Sequence, residues 1–294
     1  MHMKYKGPML IALTAVLWSS GGLLIKLVPW DAMTIAGLRS VFAALVMAVY
    51  MRRPRITFTK PVVLGGLSLA ATTILFVLAN KLTTAANAIV LQYTSPIFVI
   101  LISALLLRQR PKALDIAAVG IVFAGVMLFF FDQLKADALL GNVLAVLSGL
   151  SFAGVFIANR MPGAKPEQAV LLAYLINIVI CAPFAASSIT FEAVPWLVIV
   201  ALGLFQLGLA YVLFSIGIKT TTPITASLIA ALEPLLSPVW VMLATGEKPG
   251  VFAVFGGAVV LVTVVVYNIL SVRRSRTETA ALEAPVPENA AIDI

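Results

Sequence analysis

Apolar residues run along this chain in ten long stretches, with nearly all of the charge gathered into the short connections between them. The stretches cover approximately 8–28, 33–51, 62–80, 85–107, 114–131, 139–159, 169–186, 196–217, 223–244 and 251–270. A helix needs roughly 20 apolar residues to cross a hydrocarbon core about 30 Å thick. The pattern therefore predicts an all-α integral membrane protein with ten transmembrane helices. The first stretch is too long for a signal-peptide core and lacks a small-residue cleavage site, so it reads as a retained span.

The basic residues in alternate connections set the orientation, because translocating lysine and arginine is disfavoured. One side holds Lys4, Lys6, Arg52, Arg53, Arg55, Lys60, Arg108, Arg110, Lys112, Arg160, Lys165, Lys219, Arg273, Arg274 and Arg276, fifteen in all. The other holds three, Lys81, Lys135 and Lys248. This bias puts both termini in the cytoplasm, and a miscounted span would abolish it. Beyond Arg276 the chain turns acidic and rich in proline and alanine, the composition of a disordered tail.

The chain also matches itself. At an offset of 138, Lys81, Thr83, Thr84, Ala88, Pro96 and Pro111 fall on Lys219, Thr221, Thr222, Ala226, Pro234 and Pro249. At an offset of 134, Gly7, Leu10 and Leu13 fall on Gly141, Leu144 and Leu147, and Trp18 falls on Phe152. The expected organisation is a cytoplasmic N-terminus (1–7), a five-helix repeat (8–132), a second five-helix repeat (139–272) and a cytoplasmic tail (273–294). Five is odd, so the second copy enters the membrane from the opposite side. Inverted pairs of this kind are typical of secondary transporters, with substrate sites near the midplane where the repeats meet.

Composition sharpens this picture. Hydrophobic residues make up 62% and charged residues 11%, and the mean hydropathy is +1.09, against about half apolar and a quarter charged in soluble domains. The net charge of +8 forms no broad patch with interleaved aromatics, which argues against a nucleic-acid partner. One cysteine, Cys181, and one histidine, His2, exclude an internal disulfide, a cysteine metal cluster and histidine-based catalysis, and no cofactor is expected. A membrane enzyme would need acids, bases or ligands converging at one depth. A sensor would bring a soluble output domain, and both terminal segments are short.

By helical rise, Pro96 and Pro234 stand about 17 Å and 15 Å into their spans. A proline there frees the carbonyl four residues back, which must then face protein or a wet cavity. The two are candidate hinges, or kinks needed for packing. Beside Pro234 is Glu233, the one acid near the middle of any span, where insertion costs about 2.5 kcal/mol or more. Three readings are open: binding a cationic group of the substrate, carrying a coupling proton, or a structural acid paired with Arg39 or held by freed backbone groups. Its counterpart in the first half is Ser95. Arg39 either meets an anionic group, snorkels, or forms a structural ion pair, and Lys26 reads as a snorkelling residue.

Thr72, Thr73, Phe76 and Asn80 recur at helical spacing on one face. With Trp18, Ser19, Gln92, Tyr93, Ser95, Phe152, Asn159, Gln206, Tyr211 and Glu233 they form the candidate substrate-binding lining. Asn177, Ser215 and Ser20 are polar at similar depth. Each polar group has a bland alternative, a hydrogen bond to a neighbouring helix. Such a lining suits a small amphipathic molecule better than a bare ion. Gly120 to Gly125 and Gly256-Gly257 mark packing helices, which leave monomer and homodimer both open.

Trp18-Ser19-Ser20, Arg39, Thr94-Ser95-Pro96 with the basic turn from Arg108 to Pro111, and Leu232-Glu233-Pro234 followed by Glu247-Lys248-Pro249 resemble the drug/metabolite transporter superfamily, in its EamA-type branch. The resemblance covers about 7–272. It implies a secondary transporter of the bacterial cytoplasmic membrane, often an exporter of amino acids or other metabolites. It further implies a cavity lined by spans one, three, four, six, eight and nine. No motif separates an amino-acid exporter from a nucleotide-precursor or drug exporter. Phe152-Ala153-Gly154 departs from the tryptophan-serine element of the first half.

Overall fold

The computed structural model describes residues 6–106, 111–129, 131, 138–245 and 251–283, and among these every regular element is a helix. The first half holds α1 (Lys6–Trp18), α2 (Gly21–Leu27), α3 (Ala32–Met51), α4 (Lys60–Leu82), α5 (Ala85–Gln92), α6 (Ser95–Leu106) and α7 (Ala113–Phe129). The second half holds α8 (Leu139–Ala158), α9 (Pro166–Ser188), α10 (Ala193–Ala201), a π-helical segment (Leu202–Leu209) and α11 (Ala210–Gly217). It ends with α12 (Pro223–Ala230), α13 (Leu232–Thr245) and α14 (Val251–Glu283). Seven helical runs among the described residues are long and apolar enough to cross a membrane. Three shorter apolar helices, Ala113–Leu128, Pro223–Ser237 and Val254–Tyr267, accompany them.

Three of the expected spans are interrupted rather than continuous. The fourth breaks after Gln92 and the ninth after Ala230. In each case the interruption lies just ahead of the proline, where a helix restarts most easily because its first turn needs no N–H from that residue. The first span breaks at Ser19-Ser20 with no proline present. There the two serine hydroxyls donate to the carbonyls of Val16 and Leu17, at 2.6 and 2.9 Å, in competition with the backbone ladder. That break had no proline to announce it.

The self-similarity reappears as structure. Thr84 caps α5 by accepting from the Asn87 amide at 3.0 Å, and Thr222 caps α12 by accepting from the Thr225 amide at 3.3 Å. These are the same positions at the 138 offset. Packing is reciprocal as well: α4 lies against α8, and α1 lies against α11, so each half presents its helices to the other. A Cβ placed on Gly7 would fall 2.7 Å from the Thr221 hydroxyl, and one on Gly141 would fall 2.8 Å from Thr83 Cβ. Glycine at both places lets the helices approach across the interface between halves. α7 and α14 pack mainly on each other, at the edge of the bundle.

Burial is inverted relative to a water-soluble protein. Large apolar side chains such as Val49, Leu105 and Phe191 stand on the outside, while Arg39, Asn80, Asn177 and Ser215 are inside. Together with the long apolar helices, this is a multi-pass membrane protein. Lys26 is exposed at the end of its helix and donates to the Thr83 carbonyl at 3.1 Å. α14 continues to Glu283, so the segment from 273 is helical in its first part rather than wholly a disordered tail. Its run of Thr, Glu and Ala contains good helix formers and no proline before Pro285. Lys4, Arg108, Arg110, Lys135, Glu247-Lys248-Pro249 and residues 284–294 lie outside the described residues.

Candidate substrate cavity

A small cavity of about 30 Å³ lies between the halves. Trp18 from α1, Arg39 from α3, Thr72, Thr73 and Phe76 from α4, and Gln92 from α5 line one side. Phe152 from α8, Gln206 and Leu207 from the π-helical segment, Tyr211 from α11 and Glu233 from α13 line the other. Nine of the fourteen residues expected to bind substrate are therefore brought together, and Arg39 joins them. Arg39 adds the second span to those the family resemblance implied.

The aromatic wall is continuous. Trp18 meets Phe152 edge-on at 5.5 Å and Tyr211 at 4.9 Å between centroids, and Phe214 supports them at 5.7 Å from Trp18. Trp18 and Phe152 occupy equivalent places in the two repeats, so this contact joins the halves through their matched residues. π-helical segments widen a helix by one residue per turn and occur often at functional sites. Here one carries Gln206 to the cavity wall.

Polar contacts hold the floor of the cavity. Gln92 Nε2 donates to the Ser148 hydroxyl at 2.8 Å, which donates to the Thr72 carbonyl at 3.0 Å. Arg39 donates to the Thr73 carbonyl at 3.0 Å and more weakly to Gln206 Oε1 at 3.4 Å. Asn177 fixes the same region, donating to the Thr73 hydroxyl at 2.7 Å and to the Ser40 hydroxyl at 3.2 Å.

The two prolines are handled differently in the two halves. Pro234 has no N–H to offer the Ala230 carbonyl. The Tyr93 hydroxyl takes that place across the interface at 2.5 Å, and it also lies 2.8 Å from Glu233 Oε2. Pro96 likewise withholds a donor from the Gln92 carbonyl. That oxygen would stand 2.6 Å from a Cβ on Gly149, so the close approach of α8 depends on glycine. Glu233 is not paired with Arg39, although both face the cavity.

Five expected residues are elsewhere. Tyr93 is buried behind Glu233 rather than on the cavity wall. Ser19 accepts from the Trp240 indole N–H at 2.7 Å. Asn80 donates to the Phe76 carbonyl at 3.1 Å and Asn159 to the Val155 carbonyl at 2.8 Å, both within their own helices. Ser95 is buried at the start of α6. Ser148, Trp240 and Tyr174, which donates to the Leu207 carbonyl at 3.0 Å, were not singled out from sequence. Tyr174 stands three residues from Asn177 on one helical face, a spacing that marks it.

The sequence model of the EamA-like transporter family matches this chain twice, over residues 5–131 and 139–269. The chain belongs to the EamA-like transporter family. An uncharacterized transporter of Archaeoglobus fulgidus is 26% identical over 90% of this chain and 96% of its own length. The threonine/homoserine exporter RhtA of Escherichia coli K12 is 28% identical over 82% of this chain and 84% of its own. A solved structure described as a crystal structure of protein superposes with a TM-score of 0.75 at 21% identity, covering 90% of this chain and 98% of that one. The fold is shared with it. The family and the named relatives are transporters, which supports a transport function for this chain.

Proposed function

We propose that this EamA-like protein is a secondary transporter that exports a small amphipathic metabolite, an amino acid or related compound, across the bacterial cytoplasmic membrane by alternating access. The observation that carries the reading is the cavity between the halves, which has an aromatic wall and a polar floor and is flanked by helix breaks at matched positions. Reciprocal packing of the halves supports ten crossings arranged as two inverted repeats with both termini cytoplasmic. Rocking about Pro96 and Pro234 then exchanges access between the two sides. The direction follows the relative named as an exporter.

A coupling proton on Glu233 belongs to this reading, and hydrogen counting supports it. The Tyr93 hydroxyl has one proton, yet two oxygens lie within hydrogen-bonding distance, the Ala230 carbonyl and Glu233 Oε2. Both contacts are satisfied when Tyr93 donates to Ala230 and a protonated Glu233 donates to Tyr93. An ionised Glu233 leaves one oxygen pair without a proton between them.

Purified protein in proteoliposomes should show saturable flux that Trp18→Ala weakens. Glu233→Gln should retain exchange but lose its response to an imposed pH gradient. Flux that does not saturate and runs at channel-like rates would remove the transport mechanism. An unchanged pH response in Glu233→Gln would remove the proton assignment alone.

A further inference from the structure

We infer that Arg39 is the recognition site for a carboxylate on the transported molecule, which makes the substrate class an amphipathic carboxylate such as an α-amino acid. The inference rests on the transporter reading of the same cavity and narrows it. Arg39 is 1% exposed, in the middle of a bundle whose outside is apolar. Its guanidinium has five N–H donors and cannot shed its charge by losing a proton. Among the described residues it reaches two neutral oxygens, the Thr73 carbonyl and Gln206 Oε1, while Nε has no partner. A buried cation without a counter-ion is strongly unfavourable.

The acid in the same cavity does not relieve it, because Glu233 is engaged by Tyr93 and forms no ion pair with Arg39. The arrangement lacks an anion, and the cavity is where one can enter. A planar guanidinium fork matches a carboxylate with two parallel hydrogen bonds. The Thr73 carbonyl, itself on a helix tied to α3 and α9 through Asn177, fixes the direction of the fork. Trp18, Phe76, Phe152 and Tyr211 then receive the apolar part of the molecule.

The test compares acids with their amides. Purified protein is heated with L-threonine, L-leucine or L-phenylalanine, with the corresponding amino-acid amides, and with tetraphenylphosphonium as a cationic amphiphile. At least one acid should raise the Tm and drive counterflow in proteoliposomes, with its amide weaker by roughly 10- to 100-fold. Arg39→Gln should abolish that preference, and Arg39→Lys, which keeps the charge but loses the fork, should restore it in part. If Arg39→Gln does not fold, Gln206→Leu provides the second arm and should weaken the acid more than the amide.

Amides or the phosphonium acting as well as the acids, no acid acting at all, or a preference that survives Arg39→Gln would each overturn the assignment. Saturable transport of a compound without a carboxylate would leave the transporter reading standing. Absence of saturable transport for any compound would remove that reading instead.

Discussion

Replacing Tyr93 by phenylalanine removes one oxygen from the protein and strands two others. The Ala230 carbonyl, deprived of its helical donor by Pro234, loses the hydroxyl that serves it, and Glu233 loses its partner. A buried acceptor left without a donor costs about 1–3 kcal/mol. The effect of the carbonyl alone is isolated by a double-mutant cycle with Pro234→Ala, which restores an N–H at the position that reaches Ala230 in a regular helix. In that background Tyr93→Phe strands Glu233 but no longer strands the carbonyl. The two substitutions should therefore couple by about 1–2 kcal/mol, with Tyr93→Phe milder when Pro234 is absent. Unfolding in mixed micelles measures the four free energies, and the acid contact is lost in both Tyr93 variants and cancels. Additivity within about 0.3–0.5 kcal/mol, the level expected of independent sites, would refute the assignment of Tyr93 as the cap of the Pro234 break.

Two other stability predictions follow from the repeat. Gly141→Ala puts a methyl 2.8 Å from the Leu82 carbonyl carbon, an atom that cannot turn aside, and should cost about 1–3 kcal/mol in the same unfolding assay. Thr84→Ala and Thr222→Ala each remove an N-terminal cap and should each cost about 0.5–2 kcal/mol; a large cost at one and none at the other would argue against equivalent roles in the two halves.

Hydropathy alone was enough to class this chain as a helical membrane protein, because a hydrocarbon core accepts little except long apolar helices whose backbone groups pair internally. The self-match in prolines, threonines and glycines was also legible, and the described structure uses those residues at equivalent places: Thr84 and Thr222 as caps, Gly7 and Gly141 as contacts between halves. Most of the cavity lining could be anticipated because a polar side chain in a lipid-spanning segment has few places to go. Tertiary packing decided the rest. Asn80 and Asn159 carry the same chemistry as Gln92 and Gln206, yet they bond to their own helices, since a short amide reaches the carbonyl one turn back and each stands one or two turns along its helix beyond the residue of the same face that lines the cavity. The break at Ser19-Ser20, the π-helical turn that delivers Gln206, and the reach of Tyr93 to a carbonyl 137 positions away in sequence depend on how two halves fit together. Arg39 shows the division most clearly. Its place in an apolar stretch marked it as unusual, but only the packed structure leaves it facing a cavity where, among the described residues, it meets two neutral acceptors and no anion.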